Sequence, residues 1–384
     1  TTNKNTVLES LMVFWVIGVL LLIAIVLILR VLRKNAPKKA PDSWPSGQST
    51  KFLMSCVCGA QFEDSSDKFC QDCGKQNISA TKERQAWRLV AGSLKNLKLC
   101  SEQTQAPHDQ TDFLVDVDVR TCGLNFADIF ACQGLYSATP PGSFVPGLEF
   151  SGVITSLRGS KGHAFQVGDR VMGATRFGGF ATRVIADVRC CYKLPEAWSF
   201  DQGGSFLCQA LTAYYGLKEL AHIKRGATVL VHSAAGGVGL FCLKIVEALG
   251  GVAIGTVGSH SKVDFLLQHT SLTKEQIIVR AGGGTVFAKQ LDQALQVCGR
   301  AGVDIIMDSL MGPYFQPGYE RLSPTGKVVV FGAGSMTSAG DSPNWFALGW
   351  RYLQRPTLDP MAMISDNKAV VGFNLIWLWD HLEE

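Results

Sequence analysis

Residues 228–258 constrain the fold most strongly, because apolar runs and glycines follow one another there in a set order. A short, largely apolar run at residues 229–232 predicts a strand that is buried on both faces. A glycine-rich turn comes next, and then a helix with apolar residues at helical spacing that ends at Gly250 and Gly251. Residues 252–257 predict a second strand. The stretch therefore predicts one βαβ unit of a parallel sheet.

The turn of this unit predicts a binding site for the pyrophosphate of a dinucleotide. Glycines let backbone N–H groups approach a phosphate closely, and the helix N-terminus stabilises the negative charge. A glycine triplet alone also occurs in purely structural turns, whereas the flanking strands and helix favour the cofactor interpretation. The predicted cofactor contacts in the turn are Ala234, Gly236, Gly237, Val238 and Gly239.

The residues after the second strand indicate which dinucleotide binds. An NAD site usually has Asp or Glu at this point to accept a hydrogen bond from the ribose 2′-hydroxyl. This chain has no carboxylate there before Asp264, whereas Ser259 and Lys262 suit a 2′-phosphate. The sequence therefore favours NADPH over NADH. The alternative is that Lys262 is an ordinary solvated lysine.

The composition limits the class of protein. With 384 residues the chain is long enough for two or three domains. A net charge of +4 without a long basic block argues against nucleic acid as a partner. Twelve cysteines in a chain of this length are too few for a dense disulfide framework, so we expect a reducing compartment.

The N-terminal part predicts a membrane anchor. Residues 11–29 are nineteen consecutive residues without a charge, and a helix of that length comes close to the thickness of the bilayer core. We predict a transmembrane helix within residues 8–33 and a linker over 34–50. Basic residues concentrate after the apolar run, which predicts that the C-terminal bulk lies on the cytosolic or matrix side. An organelle inner membrane, mitochondrial for instance, is compatible with this pattern.

Two close cysteine pairs within residues 51–80 resemble a short zinc ribbon, with the predicted ligands Cys56, Cys58, Cys70 and Cys73. Four thiolates leave zinc no open coordination position, so this ion would be structural rather than catalytic. Ser55 stands where the first cysteine of a regular knuckle is expected. A degenerate knuckle without metal, or a redox pair, stays open as an alternative.

A second group of motifs begins after about residue 87. The motifs are NFAD at 125–128, QGLY at 133–136, PGLEFSG at 146–152, VGDRVM at 167–172, QALTAY at 209–214 and GVDIIMD at 302–308. With the turn at 234–239, they resemble the medium-chain dehydrogenases/reductases of the quinone oxidoreductase (zeta-crystallin-like) group. The motifs at 125–128, 133–136 and 302–308 are most similar to the synaptic-vesicle amine-transport-protein branch of that group.

This resemblance implies an α/β fold with two larger domains. We expect a β-rich, GroES-like catalytic domain over residues 85–205 and a doubly wound Rossmann domain over 206–345. Residues 346–384 would begin the segment that returns to the catalytic domain in this family, and the chain ends several tens of residues earlier than relatives do. Relatives commonly dimerise through the edge of the nucleotide-binding sheet.

The resemblance also implies chemistry without a catalytic metal. Asn125 and Leu148 stand where zinc-dependent members have ligands. Similar zinc-free members transfer hydride from NADPH to quinones or α,β-unsaturated carbonyls. The residues implied to line the acceptor pocket are Asn125, Asp128 and Tyr136; those implied to contact the cofactor are Thr212, Arg280, Phe331 and Gly332. As alternatives, Asn125 and Asp128 cap a helix, and Tyr136 is a packed loop aromatic.

Two functions of different class follow from these observations. The first is a membrane-anchored, NADPH-dependent quinone or enone reductase, with the bilayer and a small acceptor molecule as partners. The second is a non-catalytic accessory subunit of a larger membrane complex that retains a reductase fold and a structural NADPH. Intact motifs at 125–128 and 236–239 favour the enzyme, whereas the added cysteine module and the short C-terminus favour the subunit.

Overall fold

A computed structural model of the chain describes residues 82–104, 114–158, 164–336 and 340–381. The predicted membrane helix, linker and zinc ribbon, together residues 8–80, lie outside the described residues. The four-cysteine zinc site therefore stays a prediction.

The structure contradicts the prediction of a single-pass membrane protein. In the part of the chain that the structure describes, no helix combines the length and the apolar character that crossing a bilayer requires. The longest helix there, Gly283–Val297, has 15 residues, whereas a span needs about 20. The predicted orientation and the predicted organelle membrane depend on such a helix, so they are not retained either. The apolar run at residues 11–29 itself is outside the described ranges.

The N-terminal half of the described chain is mainly antiparallel β-structure. A five-stranded sheet has the order β7-β3-β5-β6-β8, and a smaller sheet has the order β2-β1-β4. The strands are β1 (Glu83–Val90), β2 (Lys98–Gln103), β3 (Leu114–Cys122), β4 (Ser143–Phe144), β5 (Glu149–Arg158), β6 (Arg170–Ala174), β7 (Arg183–Asp187) and β8 (Cys191–Lys193). Apolar side chains from β3, β5, β6 and β7, among them Phe150 and Ile154, form its core.

Of three short helices, one lies within this β-rich region and two lead from it to the rest of the chain. Helix α1 (Phe126–Gln133) follows β3, and helices α2 (Phe200–Gly204) and α3 (Leu207–Tyr214) follow β8. Helix α3 continues into a π-helical turn, Tyr215–Leu220. The π-helical form is rare in proteins, and many of the known examples lie at functional sites.

The C-terminal half is built on a six-stranded sheet of order β11-β10-β9-β12-β13-β14, in which neighbouring strands run parallel. The strands are β9 (Thr228–Val231), β10 (Val252–Val257), β11 (Ile277–Val279), β12 (Val303–Asp308), β13 (Leu322–Val330) and β14 (Ala369–Gly372). The helices are α4 (Gly237–Ala248), α5 (Ser261–His269), α6 (Gly283–Val297), α7 (Phe315–Glu320), α8 (Trp345–Leu353) and α9 (Pro360–Asp366).

Both faces of this sheet are covered, as a doubly wound fold requires. Val229 and Val231 pack in one core with residues of α4 and α5, whereas Leu230 packs in a second core with residues of α6 and α7. Successive side chains of a strand point to opposite faces, so a continuous apolar run suits a strand between two helical layers. The predicted βαβ unit is confirmed, with β10 at residues 252–257 as expected.

The segment after residue 345 contains the last strand of this sheet. Strand β14 pairs with β13, with Val328 opposite Val370 and Val330 opposite Gly372. It lies within residues 346–384, which were expected to begin a return to the catalytic domain. The remaining domain boundaries stay predictions.

Candidate active site at the edge of the parallel sheet

The glycine turn forms the start of α4 at the carboxyl end of β9. Ser233 has a φ of 54°, and Gly236 is the N-cap residue of α4. No side chain in the described part of the protein caps this helix, so the first backbone N–H groups are available to an anion. A Cβ on Gly239 would lie 2.5 Å from the carbonyl oxygen of Ser233, so only glycine fits there. The predicted turn residues therefore lie together in a geometry that suits a phosphate.

This turn lies where the order of the sheet reverses. Strand β9 has β10 on one side and β12 on the other, and ligands of such sheets bind in the crevice at this reversal. On the β12 side, the Ser309 hydroxyl lies 3.1 Å from the Ser233 hydroxyl. The predicted contact Gly332 is adjacent, because a Cβ on it would lie 2.8 Å from the Ser309 carbonyl oxygen. Phe331 donates its N–H to the Asp308 carbonyl at 3.0 Å.

The residues that favour a 2′-phosphate lie around the end of β10. Ser259 and Lys262 are exposed, and Lys262 is in the first turn of α5. Arg280 follows β11, and its Nη1 donates to the Thr256 hydroxyl at 2.6 Å. A Cβ on Gly258 would lie 3.4 Å from Nη2 of Arg280, which places this cation at the end of β10.

In the β-rich region, Asn125 and Asp128 form the start of α1. Asn125 is the N-cap residue, and its backbone N–H donates to Oδ2 of Asp128 at 2.8 Å. Oδ1 of Asp128 accepts the N–H of Gly147 at 3.2 Å. Burial raises the pKa of the Asp128 carboxyl to about 7, and the nearby Glu149 adds to the increase. Asp128 therefore organises the backbone, as the capping alternative proposed.

Glu149 connects the starts of α1 and α3. It is fully buried, and its Oε1 accepts Nδ2 of Asn125 at 2.8 Å. Its Oε2 accepts the backbone N–H of Cys208 at 3.0 Å. Burial raises the pKa of Glu149, although these hydrogen bonds oppose the increase. Glu149 lies within one of the sequence motifs but was not predicted as a site residue; a carboxylate among apolar and glycine residues was the available signal.

Tyr136 lies in the loop after α1 and bonds to the far end of the chain. Its hydroxyl donates to Oδ1 of Asn374 at 2.7 Å. Burial raises the pKa of Tyr136 to about 12, with smaller contributions from Cys208 and Asp128, so the hydroxyl stays protonated. Beside it, Nε1 of Trp377 donates to the Ser137 hydroxyl at 3.4 Å. Asn374 was not predicted as a site residue, because nothing local in the sequence connects residues 238 positions apart.

Thr212 lies on α3, and its hydroxyl donates to the Cys208 carbonyl at 2.6 Å, one turn earlier. Three aromatic rings that pack in a row link the end of this helix to the parallel sheet. The Tyr215 ring lies 5.2 Å from the Phe373 ring, which lies 6.1 Å from the Phe331 ring. These contacts connect the end of the helix that carries Thr212 to Phe331, and both residues were predicted to contact the cofactor.

The described residues contain no group of three or more His, Cys, Asp or Glu side chains arranged to hold a metal ion. The cysteines predicted to bind structural zinc are outside those residues. A structural zinc ion is therefore not supported by what the structure describes.

Comparison with known families gives a match in the β-rich region. Residues 111–196 match the family described as the alcohol dehydrogenase GroES-like domain. Among curated proteins, the mouse synaptic vesicle membrane protein VAT-1 homolog-like is 29% identical over 309 residues. The match covers 79% of this chain and 69% of that protein.

Solved structures match over both regions. The CurK enoyl reductase has 25% identity and a TM-score of 0.61, covering 78% of this chain and 83% of that one. A mycobacterial quinone oxidoreductase has 25% identity and a TM-score of 0.60, covering 78% and 84%. A mycobacterial protein complexed with NADPH has 24% identity and a TM-score of 0.62, covering 78% and 87%, and shows the fold alone. The chain has a GroES-like domain and a parallel Rossmann sheet, and these matches support its placement among the quinone oxidoreductase-like medium-chain dehydrogenases/reductases.

Proposed function

We propose that this chain binds NADPH and reduces a quinone or an α,β-unsaturated carbonyl compound. The observation that carries the proposal is the uncapped start of α4 in the crevice between β9 and β12, with Arg280 at the end of the neighbouring strand. The similarity to an enoyl reductase and a quinone oxidoreductase supports the reductase class.

The chain's own residues fit the parts of NADPH. The backbone N–H groups of Gly237, Val238 and Gly239 suit the pyrophosphate, because they open a helix that has no side-chain cap. Arg280 and Lys262 suit the 2′-phosphate, since both place a cation near the end of β10. When bound, NADPH supplies the hydride, and the protein orients it and excludes competing reactions.

The acceptor would lie against Asn125 and Tyr136. One amide hydrogen of Asn125 goes to Glu149, which leaves the other for an acceptor oxygen that gains charge as hydride arrives. Tyr136 already donates its proton to Asn374, so it can serve the acceptor only by releasing that bond. Asp128 positions Asn125 through the start of α1, where its Oδ2 accepts the backbone N–H of Asn125.

Exposed apolar side chains flank Asn125 and fit a flat, apolar acceptor. Leu124 is 69% exposed and Phe126 is 53% exposed, although both are large apolar residues. Such exposure at the border of a polar site is typical of a surface that binds an apolar ligand. A quinone or enone combines an apolar body with the carbonyl oxygen that Asn125 would bind.

The proposal is tested by measuring NADPH fluorescence on binding and NADPH oxidation after a short-chain quinone or enone is added. We expect binding and acceptor-dependent oxidation, with oxidation reduced about tenfold in Asn125→Ala and in Tyr136→Phe. Tyr192→Phe is the matched control, because Tyr192 is an exposed tyrosine on β8, and we expect its rate to equal that of the unmodified protein. Absence of NADPH binding would refute the proposal.

A non-catalytic, nucleotide-binding accessory protein is the second candidate. It is favoured by one observation: the predicted polar groups of the site are already engaged within the protein, Asn125 with Glu149, Tyr136 with Asn374 and Thr212 with Cys208. The same experiment separates the two. NADPH binding without oxidation by any quinone or enone supports the accessory role, and acceptor-dependent oxidation excludes it.

A further inference from the structure

A chain of hydrogen bonds runs beneath the carboxyl ends of β9 and β10. Nδ1 of His232 lies 3.0 Å from the Thr256 hydroxyl, and Nη1 of Arg280 donates to the same hydroxyl at 2.6 Å. His232 is 2% exposed and Thr256 is fully buried, so water does not compete for these bonds. None of the motifs used above explains why a histidine and a threonine are buried together at this point.

The chemistry of the groups sets the direction of one of the two bonds. Arginine only donates, so the Thr256 oxygen accepts from Arg280. The direction of the bond between Thr256 and Nδ1 of His232 depends on the imidazole tautomer, because a hydroxyl can donate one hydrogen bond and accept two. Burial lowers the pKa of His232 to about 4, which Asp308 opposes and Arg280 favours, so the imidazole is neutral at physiological pH.

Arg280 is held in this chain without a neutralising partner. In the described part of the protein no carboxylate forms an ion pair with it, and burial lowers its pKa. Asp308 is near enough to affect His232 and Arg280: its Oδ1 accepts the N–H groups of Leu310 and Met311, and its Oδ2 is buried without a hydrogen-bond partner among the described residues and forms no ion pair with Arg280. The Tyr314 ring, 5.8 Å from the Arg280 guanidinium carbon, covers one face of the cation.

A fixed, unpaired cation beside the end of β10 is suited to an anion. Its position beside Gly258 is where the adenosine ribose of a dinucleotide lies in such sheets. A cation fixed in advance loses less conformational freedom on binding than a free lysine does. Lys262, by comparison, is exposed on the first turn of α5.

We infer that His232 and Thr256 are positioning residues that hold Arg280 for the ribose 2′-phosphate, so that preference for NADP(H) depends on a buried chain beneath the site. This inference rests on the proposed function and adds to it the residues that set cofactor selectivity. His232 and Thr256 do not touch the phosphate; they act through Arg280.

The test compares adenosine 2′,5′-bisphosphate with adenosine 5′-monophosphate by titration calorimetry on the full chain. Thr256→Val removes the hydroxyl with little change of shape, and we expect it to weaken binding of the bisphosphate roughly tenfold and leave the monophosphate unchanged. Thr228→Val is the matched control: Thr228 is 2% exposed in β9 of the same sheet, at the end away from the crevice. We expect the control to keep the ratio of the two affinities.

A second pair of variants tests His232 directly. His232→Asn keeps a group that can donate or accept close to the place of Nδ1 and should retain the affinity ratio, whereas His232→Leu removes that group and should lower the ratio as Thr256→Val does. The inference is overturned if Thr256→Val and His232→Leu keep the ratio of the unmodified protein. If the unmodified protein itself does not prefer the bisphosphate, NADPH as the cofactor fails, and the inference fails with it.

Discussion

Replacing Asp128 with asparagine should change how the free energy of unfolding depends on pH. Asp128 is 1% exposed, and burial raises its carboxyl pKa from 3.8 to about 7. The folded state therefore holds the proton more tightly than the unfolded state does. The stabilising contribution of this group is complete below its unfolded pKa and is lost as the pH rises through the folded pKa. At about 1.4 kcal/mol per pKa unit, a shift of about three units corresponds to about 4 kcal/mol.

Asparagine resembles the protonated carboxyl but does not titrate. Near pH 4 we expect the free energies of unfolding of Asp128→Asn and the unmodified protein to differ by only about 1 kcal/mol. As the pH rises to about 7, the free energy of unfolding of the variant should increase relative to that of the unmodified protein by about 1.4 kcal/mol per pH unit. His232, with a pKa lowered to about 4, contributes with the opposite sign, because its stability is lost as the pH falls. That contribution cancels in the difference between the two proteins.

The measurement is urea unfolding across this pH range for both proteins. Asp118→Asn is the control, because Asp118 is a partly exposed carboxylate on β3 that pairs with Arg120 at 3.0 Å. The control shows what loss of a surface charge does to the same curves. If the free energies of unfolding of Asp128→Asn and the unmodified protein differ by the same amount from acid to neutral pH, Asp128 is not a buried group that retains its proton.

Three further predictions concern the site. Glu149→Gln should lower the free energy of unfolding by about 1–3 kcal/mol, since one amide oxygen cannot accept from both Asn125 and Cys208. Urea unfolding measures this, with Glu196→Gln at an exposed position as the control, and a stability equal to that of the unmodified protein would contradict the prediction. Gly239→Ala should weaken NADPH binding at least about tenfold, because its methyl group would press on the Ser233 carbonyl oxygen. NADPH fluorescence measures this against Gly349→Ala, whose methyl group would lie in open space, and equal affinities of the two variants would contradict the prediction. Asn374→Ala should lower the KM for the acceptor about fivefold and leave the Kd for NADPH unchanged, because Tyr136 no longer has to release its bond to Asn374 before it serves the acceptor; a change in NADPH affinity alone would count against this assignment.

The βαβ unit with its glycine turn could be predicted because its signals are local. The alternation of Val229, Leu230 and Val231 between two cores follows from a continuous apolar run, and the turn at Gly236–Gly239 follows from glycines at a strand-to-helix junction. Both signals span fewer residues than one βαβ unit. The helix start at Asn125 and Asp128 was likewise predictable, as an alternative, from residue types that favour caps.

The contacts that complete the site were not predictable in the same way. Glu149 meets Cys208 across 59 positions, and Tyr136 meets Asn374 across 238 positions. Such pairs depend on how the β-rich region and the parallel sheet pack, and no spacing in the sequence encodes that. The buried chain through Thr256 was missed for a related reason, since a threonine within an apolar strand gives no sign of what its hydroxyl binds.

The bond between Tyr136 and Asn374 has a consequence for synthesis. A ribosome releases the chain from its N-terminus, so the antiparallel sheets and most of the parallel sheet emerge long before Asn374 does. Until the last strand, Ala369–Gly372, docks beside its neighbour, Asn374 is not in place and the Tyr136 hydroxyl lacks this partner. The link between the β-rich region and the end of the parallel sheet can therefore form only after nearly all of the described residues have been synthesised, whereas the glycine turn at residues 234–239 is made much earlier.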